Sequence, residues 1–321
     1  MNKISPFLFF ATSLPAMAAP PVVVTDIAPV HSLVSQVLGD LGEAELLLDQ
    51  DTDPHHANLR PSQATSLQSA GVLFWIGESL TPWLEEGVET LGRKSVAIEL
   101  LKVEGTKIIE TEEEDGHDDH GNEEDHDDHG HVDEDKHEDD EEHAGHDHPD
   151  HGGVDPHAWL DPKNGIVWLG AMADALSKVD PENAATYTAN AAAGIASLEA
   201  LIKEIEARDL PHNIPAVPAH SFLAYYEDRF HYHAMLPLKN VEGDNAEASA
   251  ISKLQEIAQS GAVKCFFFEA GEDAGSYASF ESDFGLKLIE IDQLGANLDL
   301  GAALYGDVIR SVTDSFASCE G

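Results

Sequence analysis

Three histidines stand where a metal ion is readily held. His55 lies in Asp53-Pro54-His55-His56-Ala57-Asn58-Leu59-Arg60-Pro61-Ser62, His157 in Asp155-Pro156-His157-Ala158-Trp159-Leu160-Asp161-Pro162, and His220 directly after Ala216-Val217-Pro218-Ala219. Each sits at or near the carboxyl end of an extended run that leads into a helix. A proline precedes His55 and His157 and another opens the next helix, so both imidazoles ride on short, constrained loops. Asp292, after Leu288-Ile289-Glu290-Ile291, occupies a corresponding strand end. Three neutral imidazoles and one carboxylate suit tetrahedral Zn²⁺ and leave a single net positive charge; Mg²⁺ and Ca²⁺ prefer oxygen-only sets. Taken singly, each histidine also reads as a capping or hydrogen-bonded loop residue, and the four positions are scattered through the chain.

The elements that must bring them together alternate. From Pro21 to Glu99, short apolar runs (Val22–Thr25, Ala44–Leu48, Val72–Ile76, Ser95–Ile98) are interleaved with helical patterns (Ile27–Leu38, Pro61–Ala70, Pro82–Leu91). The alternation resumes at Ala216–Ala219 and continues through Ser221–Phe230, His233–Leu238, Glu247–Ser260, Val263–Phe268, Ser276–Phe284, Lys287–Ile291 and Ala302–Phe316. This βαβα pattern predicts an α/β fold of two similar lobes, each with a mainly parallel sheet, and a metal site in the cleft between them. Between the lobes, Pro181–Arg208 carries Ile195, Leu198, Leu201, Ile202 and Ile205 at helical spacing. Read as one helix it spans roughly 42 Å and acts as a stiff strut; a break near Gly194 would give two shorter helices. The expected organisation is a signal peptide over 1–18, an N-terminal lobe over 19–111 completed by 152–180, an insertion over 112–151, the linking helix over 181–210, and a C-terminal lobe over 211–321.

Composition narrows the function further. The chain of 321 residues carries 61 acidic and 17 basic side chains and 18 histidines, a formal net charge of −44, which excludes a nucleic-acid binder driven by phosphate neutralisation. Residues 112–151 alone hold 21 acidic residues and ten histidines: His117, His120, His126, His129, His131, His137, His143, His146, His148 and His151. With no apolar periodicity this stretch is expected to be disordered and to form many weak, interchangeable zinc sites near the mouth of the rigid one, unless it is only a solvated acidic spacer. Residues 1–18 run from Lys3 through Phe7-Leu8-Phe9-Phe10-Ala11 to Ala16-Met17-Ala18, the pattern of a cleaved secretory signal. No later stretch reaches the about 20 apolar residues of a spanning helix. Cys265 and Cys319, the two cysteines of the chain, suit either one disulfide in an oxidising compartment or two buried thiols.

Together these residues resemble a known family, the periplasmic solute-binding proteins of metal-ion ABC importers, in the zinc-uptake branch called the ZnuA type. The likeness rests on His55-x₄-Arg60-Pro61-Ser62, His157-Ala158-Trp159-Leu160-Asp161-Pro162, His220 before an aromatic-rich helix, Ile291-Asp292-x-Leu294-Gly295, and the acidic, histidine-rich insertion ahead of His157. It implies a non-enzymatic, monomeric carrier in the periplasm that hands Zn²⁺ to a membrane permease with a cytoplasmic ATPase, without inserting in the membrane or binding nucleic acid. It assigns His55, His157 and His220 as zinc ligands, Asp292 as fourth ligand or as a close partner competing with water, and Cys265–Cys319 as a disulfide of the second lobe. Manganese-type relatives usually carry a carboxylate at the third position, so His220 argues for zinc. Two features depart from the pattern: Pro54 and His56 flank the first histidine where an acidic neighbour is common, and Glu269-Ala270-Gly271 lacks the usual Pro-Gln after the glutamate. The alternatives are a zinc hydrolase, for which no His-Glu-x-x-His occurs, an extracytoplasmic zinc buffer, chaperone or adhesin, and a manganese-specific binding protein.

Overall fold

Two proline-punctuated α/β halves alternate as expected. The computed structural model describes residues 20–111, 153–240, 243 and 248–319; the expected signal segment and the insertion with its ten histidines lie outside the described residues. In the first lobe, β1 (Val23–Thr25) leads to α1 (Ala28–Leu38), β2 (Ala44–Leu46) to α2 (Pro61–Ser69), and β3 (Val72–Trp75) to α3 (Pro82–Thr90), with β4 (Val96–Glu99) closing the run. The strands pair in parallel in the order β2-β1-β3-β4. Every residue of β1 and β3 is buried, as strands covered on both faces by helices must be.

Two long helices follow, α4 (Pro162–Val179) and α5 (Ala184–Glu206). The expected strut starts three residues late, because Pro181–Asn183 forms a 3₁₀ turn, and its 23 helical residues span about 35 Å. It runs unbroken through Gly194. A Cβ there would lie 2.7 Å from Gln36 Oε1 and 3.0 Å from Leu169 Cδ1, so glycine serves the close approach of α5 to α1 and α4 instead of ending the helix.

The second lobe contains β5 (Ala216–Pro218), α6 (Ala224–Phe230), α7 (Ala248–Gln259), β6 (Cys265–Glu269), α8 (Ala278–Ser282), β7 (Lys287–Ile291) and α9 (Leu304–Ser318). Its sheet is parallel in the order β5-β6-β7. His233–Leu238, read from sequence as a further extended element, runs beside β5 without forming a ladder. Met235 and Leu238 donate to the carbonyls of Ala216 and Pro218 at 2.8 and 3.1 Å, but Pro237 has no N–H to give, and the pairing survives as isolated bridges at His233 and Lys239. The Cys265–Cys319 disulfide, with Cα atoms 5.8 Å apart, pins the start of β6 to the end of α9.

One apolar core runs through both lobes, from Val23 and Ile27 past Trp159 and Trp168 to Tyr226, Phe267 and Phe316. Polar ties cross the same boundary. Arg229 of α6 grips Asp161, the N-cap of α4, through Nε at 2.6 Å and Nη2 at 2.7 Å. Tyr305 of α9 receives Ser32 Oγ as acceptor for its N–H at 2.9 Å and donates its hydroxyl to the Trp159 carbonyl at 2.7 Å. Since all parallel strands end on one side, the loops after β2, β5, β6 and β7 gather along a single seam between the lobes. Among the described residues, no helix is long and apolar enough to cross a membrane.

Two outcomes are expected. Arg229→Met strands the fully buried Asp161 carboxylate and should cost about 3 kcal/mol in urea unfolding, with most of it recovered in Arg229→Met/Asp161→Asn. Glu227, whose Oε1 accepts the Ala234 N–H at 2.8 Å, is pushed by burial up to about 7 from 4.5. The folded state therefore holds this proton more tightly than the unfolded chain. Its contribution to stability is complete below about pH 4.5 and is lost as pH rises through about 7. Glu227→Gln keeps the acceptor and should remove that loss, read as a smaller drop in urea midpoint between pH 5 and pH 8.

Candidate metal centre

Each imidazole is aimed by a different device. His55 lies in the loop between β2 and α2, where its N–H donates to Asp53 Oδ1 at 2.9 Å and the preceding Pro54 carbonyl accepts Trp83 Nε1–H at 2.8 Å. Gln50, earlier in this loop, reaches across to the second lobe and donates to the carbonyls of Gly295 and Leu298. Gly271, at φ +96°, makes the other crossing possible: a Cβ there would meet the Asp51 carbonyl at 3.0 Å.

His157 is fully buried at the end of the extended segment before the 3₁₀ turn Ala158–Leu160. Its backbone N–H and its Nδ1 both meet Asp155 Oδ1, at 2.9 and 2.8 Å. His220 follows β5, and its Nδ1 lies 2.6 Å from Glu269 Oε1 at the end of β6. A carboxylate can only accept, so in both residues Nδ1 carries a hydrogen, and the neutral ring presents its lone pair at Nε2.

These lone pairs converge. His157 Nε2 stands 3.4 Å from His55 Nε2 and 3.4 Å from His220 Nε2. The three residues form a group whose ligand atoms all lie within 4.8 Å of one another, and no other such group of His, Cys, Asp or Glu occurs among the described residues. Nitrogens bound tetrahedrally at 2.0–2.1 Å to one zinc ion would stand about 3.3 Å apart. With Asp155 and Glu269 fixing the tautomers, the short contact between His157 and His220 brings two acceptors face to face, an arrangement that invites a cation between them.

Electrostatics prepare the donors. Burial, then repulsion from His157, His220 and His56, depresses His55 from 6.5 to about 2, so this imidazole is neutral at any ordinary pH. Burial pulls His220 down as well, but the Glu269 carboxylate more than offsets it and the pKa is raised. Above the cluster opens a cavity of about 180 Å³ lined by Asp51, Asp53, His55, His220, Lys239, Glu269 and Glu272 among others. Four carboxylates against one lysine make its field attractive to cations.

A sequence profile described as "Zinc-uptake complex component A periplasmic" matches residues 23–319. The chain belongs to this family. The high-affinity zinc uptake system protein ZnuA of Paracoccus denitrificans (strain Pd 1222) is 38% identical over 312 residues, covering 96% of this chain and 94% of its own. The protein of the same name from Brucella abortus (strain 2308) is 32% identical over 304 residues, covering 92% and 91%. A crystal structure titled as that of ZnuA superposes with a TM-score of 0.72 at 22% identity, covering 94% of this chain and all of that one. That likeness shows the shared fold of two parallel-sheet lobes.

Within this ZnuA-family chain, the structure brings His55, His157 and His220 together and leaves Asp292 apart from them. Each Asp292 oxygen accepts one backbone N–H, Oδ1 from Ala296 at 2.7 Å and Oδ2 from Asn297 at 2.8 Å, and the residue is not among the converging ligands. The carboxylate closes a turn of its own loop. His56 is exposed, its ring centroid 6.3 Å from that of His55, and is likewise outside the group. Asp155 and Glu269 were not assigned as imidazole partners from sequence. For Asp155 a signal exists, since a carboxylate two residues before His157 can take both of its N–H groups; for Glu269 the pairing depends on the neighbouring of β5 and β6.

Proposed function

We propose that this chain is the zinc-capturing component of an ABC-type importer: His55, His157 and His220 bind Zn²⁺ through Nε2 in the periplasm, and the loaded protein delivers it to a membrane permease driven by a cytoplasmic ATPase. The ion is cargo, and no bond is made or broken. The single observation that carries this reading is the convergence of three imidazole donors from both lobes within 4.8 Å, with His157 Nε2 at 3.4 Å from each of the other two, close to the spacing around one tetrahedral ion. The zinc-uptake names of relatives 38% and 32% identical support it.

Donor chemistry favours zinc over manganese, because three nitrogens form a softer set than the oxygen-rich surroundings Mn²⁺ takes. Water takes the fourth position because Asp292 lies outside the converging group; a shift of the turn at residues 292–297 toward the ion would make its carboxylate the alternative. A His₃ set with water also occurs in zinc hydrolases. The carrier reading is preferred because the chain has no His-Glu-x-x-His motif to supply a general base and the two carboxylates that touch the imidazole rings, Asp155 and Glu269, each hold an Nδ1. We further propose that residues 1–18 are removed on export and that the histidines of 112–151 collect zinc weakly at the mouth.

Calorimetric titration of Zn²⁺ into the full chain, a 112–151 deletion and a His55→Ala/His157→Ala/His220→Ala variant tests the proposal. One tight site should survive the deletion and vanish in the triple variant, while weaker additional sites vanish with the deletion. Tight binding that persists in the triple variant, or departs with residues 112–151, would contradict it.

A further inference from the structure

Gln293 sits beside the metal centre in a position that costs the fold something. The residue is 3% exposed, its side-chain Nε2 donates to Glu269 Oε2, and its Oε1 is buried with no hydrogen-bond partner among the described residues. A buried carbonyl oxygen left without a donor destabilises a fold. Turning the amide over would not relieve it, because Oε1 would then face the Glu269 carboxylate, acceptor against acceptor. The amide is therefore held with its N–H₂ toward Glu269 and its own acceptor unmet. The backbone is fixed as well: the Gln293 carbonyl accepts Trp159 Nε1–H at 3.0 Å, which ties this residue to the turn that follows His157.

The chain of contacts leads directly to a zinc ligand. Glu269 offers one oxygen to Gln293 and the other to His220 Nδ1, at 2.6 Å. From this we propose that Gln293 is a positioning residue for zinc capture, anchoring Glu269 so that it fixes His220 with Nδ1 protonated and Nε2 open to the ion. The inference rests on the zinc-capture reading above and deepens it.

The comparison with His157 explains why one imidazole needs such an anchor and the other does not. Asp155 has a short side chain two residues from its target, and its Oδ1 also receives the His157 backbone N–H at 2.9 Å, so local geometry alone fixes it. Glu269 comes from a different strand, carries one more rotatable bond, and borders the cavity where Lys239 and Glu272 also lie. Without a donor on Oε2 it is free to rotate toward that cavity. Removing the direct hydrogen-bond partner of a metal ligand typically changes metal affinity 10–100-fold, and a Glu269 that rotates away is a partner removed from His220.

The test compares the full chain with Gln293→Leu, Glu269→Gln and the double variant. Zn²⁺ affinity is read by competition with a chromophoric chelator, thermal unfolding is followed without metal, and the His220 tautomer is read from ring ¹⁵N shifts. Gln293→Leu removes the unmet acceptor with the donor, so its zinc-free unfolding midpoint should stay level or rise while zinc affinity falls about tenfold or more. Read at a pH where the ring is neutral, His220 should shift part of its population from the Nδ1–H to the Nε2–H form, and the double variant should bind no worse than Glu269→Gln alone. Unchanged affinity in a folded Gln293→Leu, a loss that adds in full to that of Glu269→Gln, or a loss accompanied by a lower midpoint with an unaltered His220 tautomer would overturn the inference. If the unmodified chain itself binds no zinc, the reading beneath fails, and this inference with it.

Discussion

The structure turns on three imidazole nitrogens from separate parts of the chain held within 4.8 Å of one another. Two Nε2 lone pairs at 3.4 Å repel unless a proton or a cation lies between them, and in His157 and His220 the carboxylates of Asp155 and Glu269 keep a hydrogen on the opposite nitrogen. The depressed pKa of His55 expresses the same constraint, since burial and crowding by its fellow rings make protonation costly. The donors are thus gathered and, at His55, stripped of a proton before any ion arrives, which removes part of the cost that metal binding ordinarily carries.

Such crowding persists only if the scaffold resists it. His55 belongs to the first lobe, His220 to the second, and His157 to the segment that enters the helical pair α4/α5. A common core, the Arg229–Asp161 pair and the Tyr305 bonds to Ser32 and Trp159 keep these parts in fixed relation. His55 is the exception: its loop is held to the second lobe through Gln50, on carbonyls of the turn that Asp292 closes. Of the three ligands it is the one carried by a surface loop, and therefore the one whose departure requires least of the core to move.

Much of this was legible in the residue order. Proline-framed histidines at Pro54-His55 and Pro156-His157, with His220 after a short apolar run, announced a shared chemistry, and the alternation of strands and helices announced the two lobes. The order of residues could not say what their polar neighbours do. Asp292 reads as a ligand because it ends a strand, yet its oxygens answer to the amides of Ala296 and Asn297, whose orientation depends on a turn with Gly295 at φ +80°. Glu269 and Gln293 gain their meaning from strand neighbours 49 and 73 positions from His220 in sequence, and no local pattern encodes that adjacency. The segment around Pro237 shows the converse, where an extended run beside β5 forms no ladder and neither Pro237 nor the facing Pro218 has an N–H to give.

X-ray absorption at the zinc edge on the one-to-one complex of the chain lacking residues 112–151 reads the environment of the ion itself. It should give the multiple-scattering pattern of three imidazoles with nitrogens at about 2.0–2.1 Å, and one further oxygen donor in the first shell. A shell dominated by oxygen, or one with fewer than three imidazoles, would show that the converging rings are not what grips the metal.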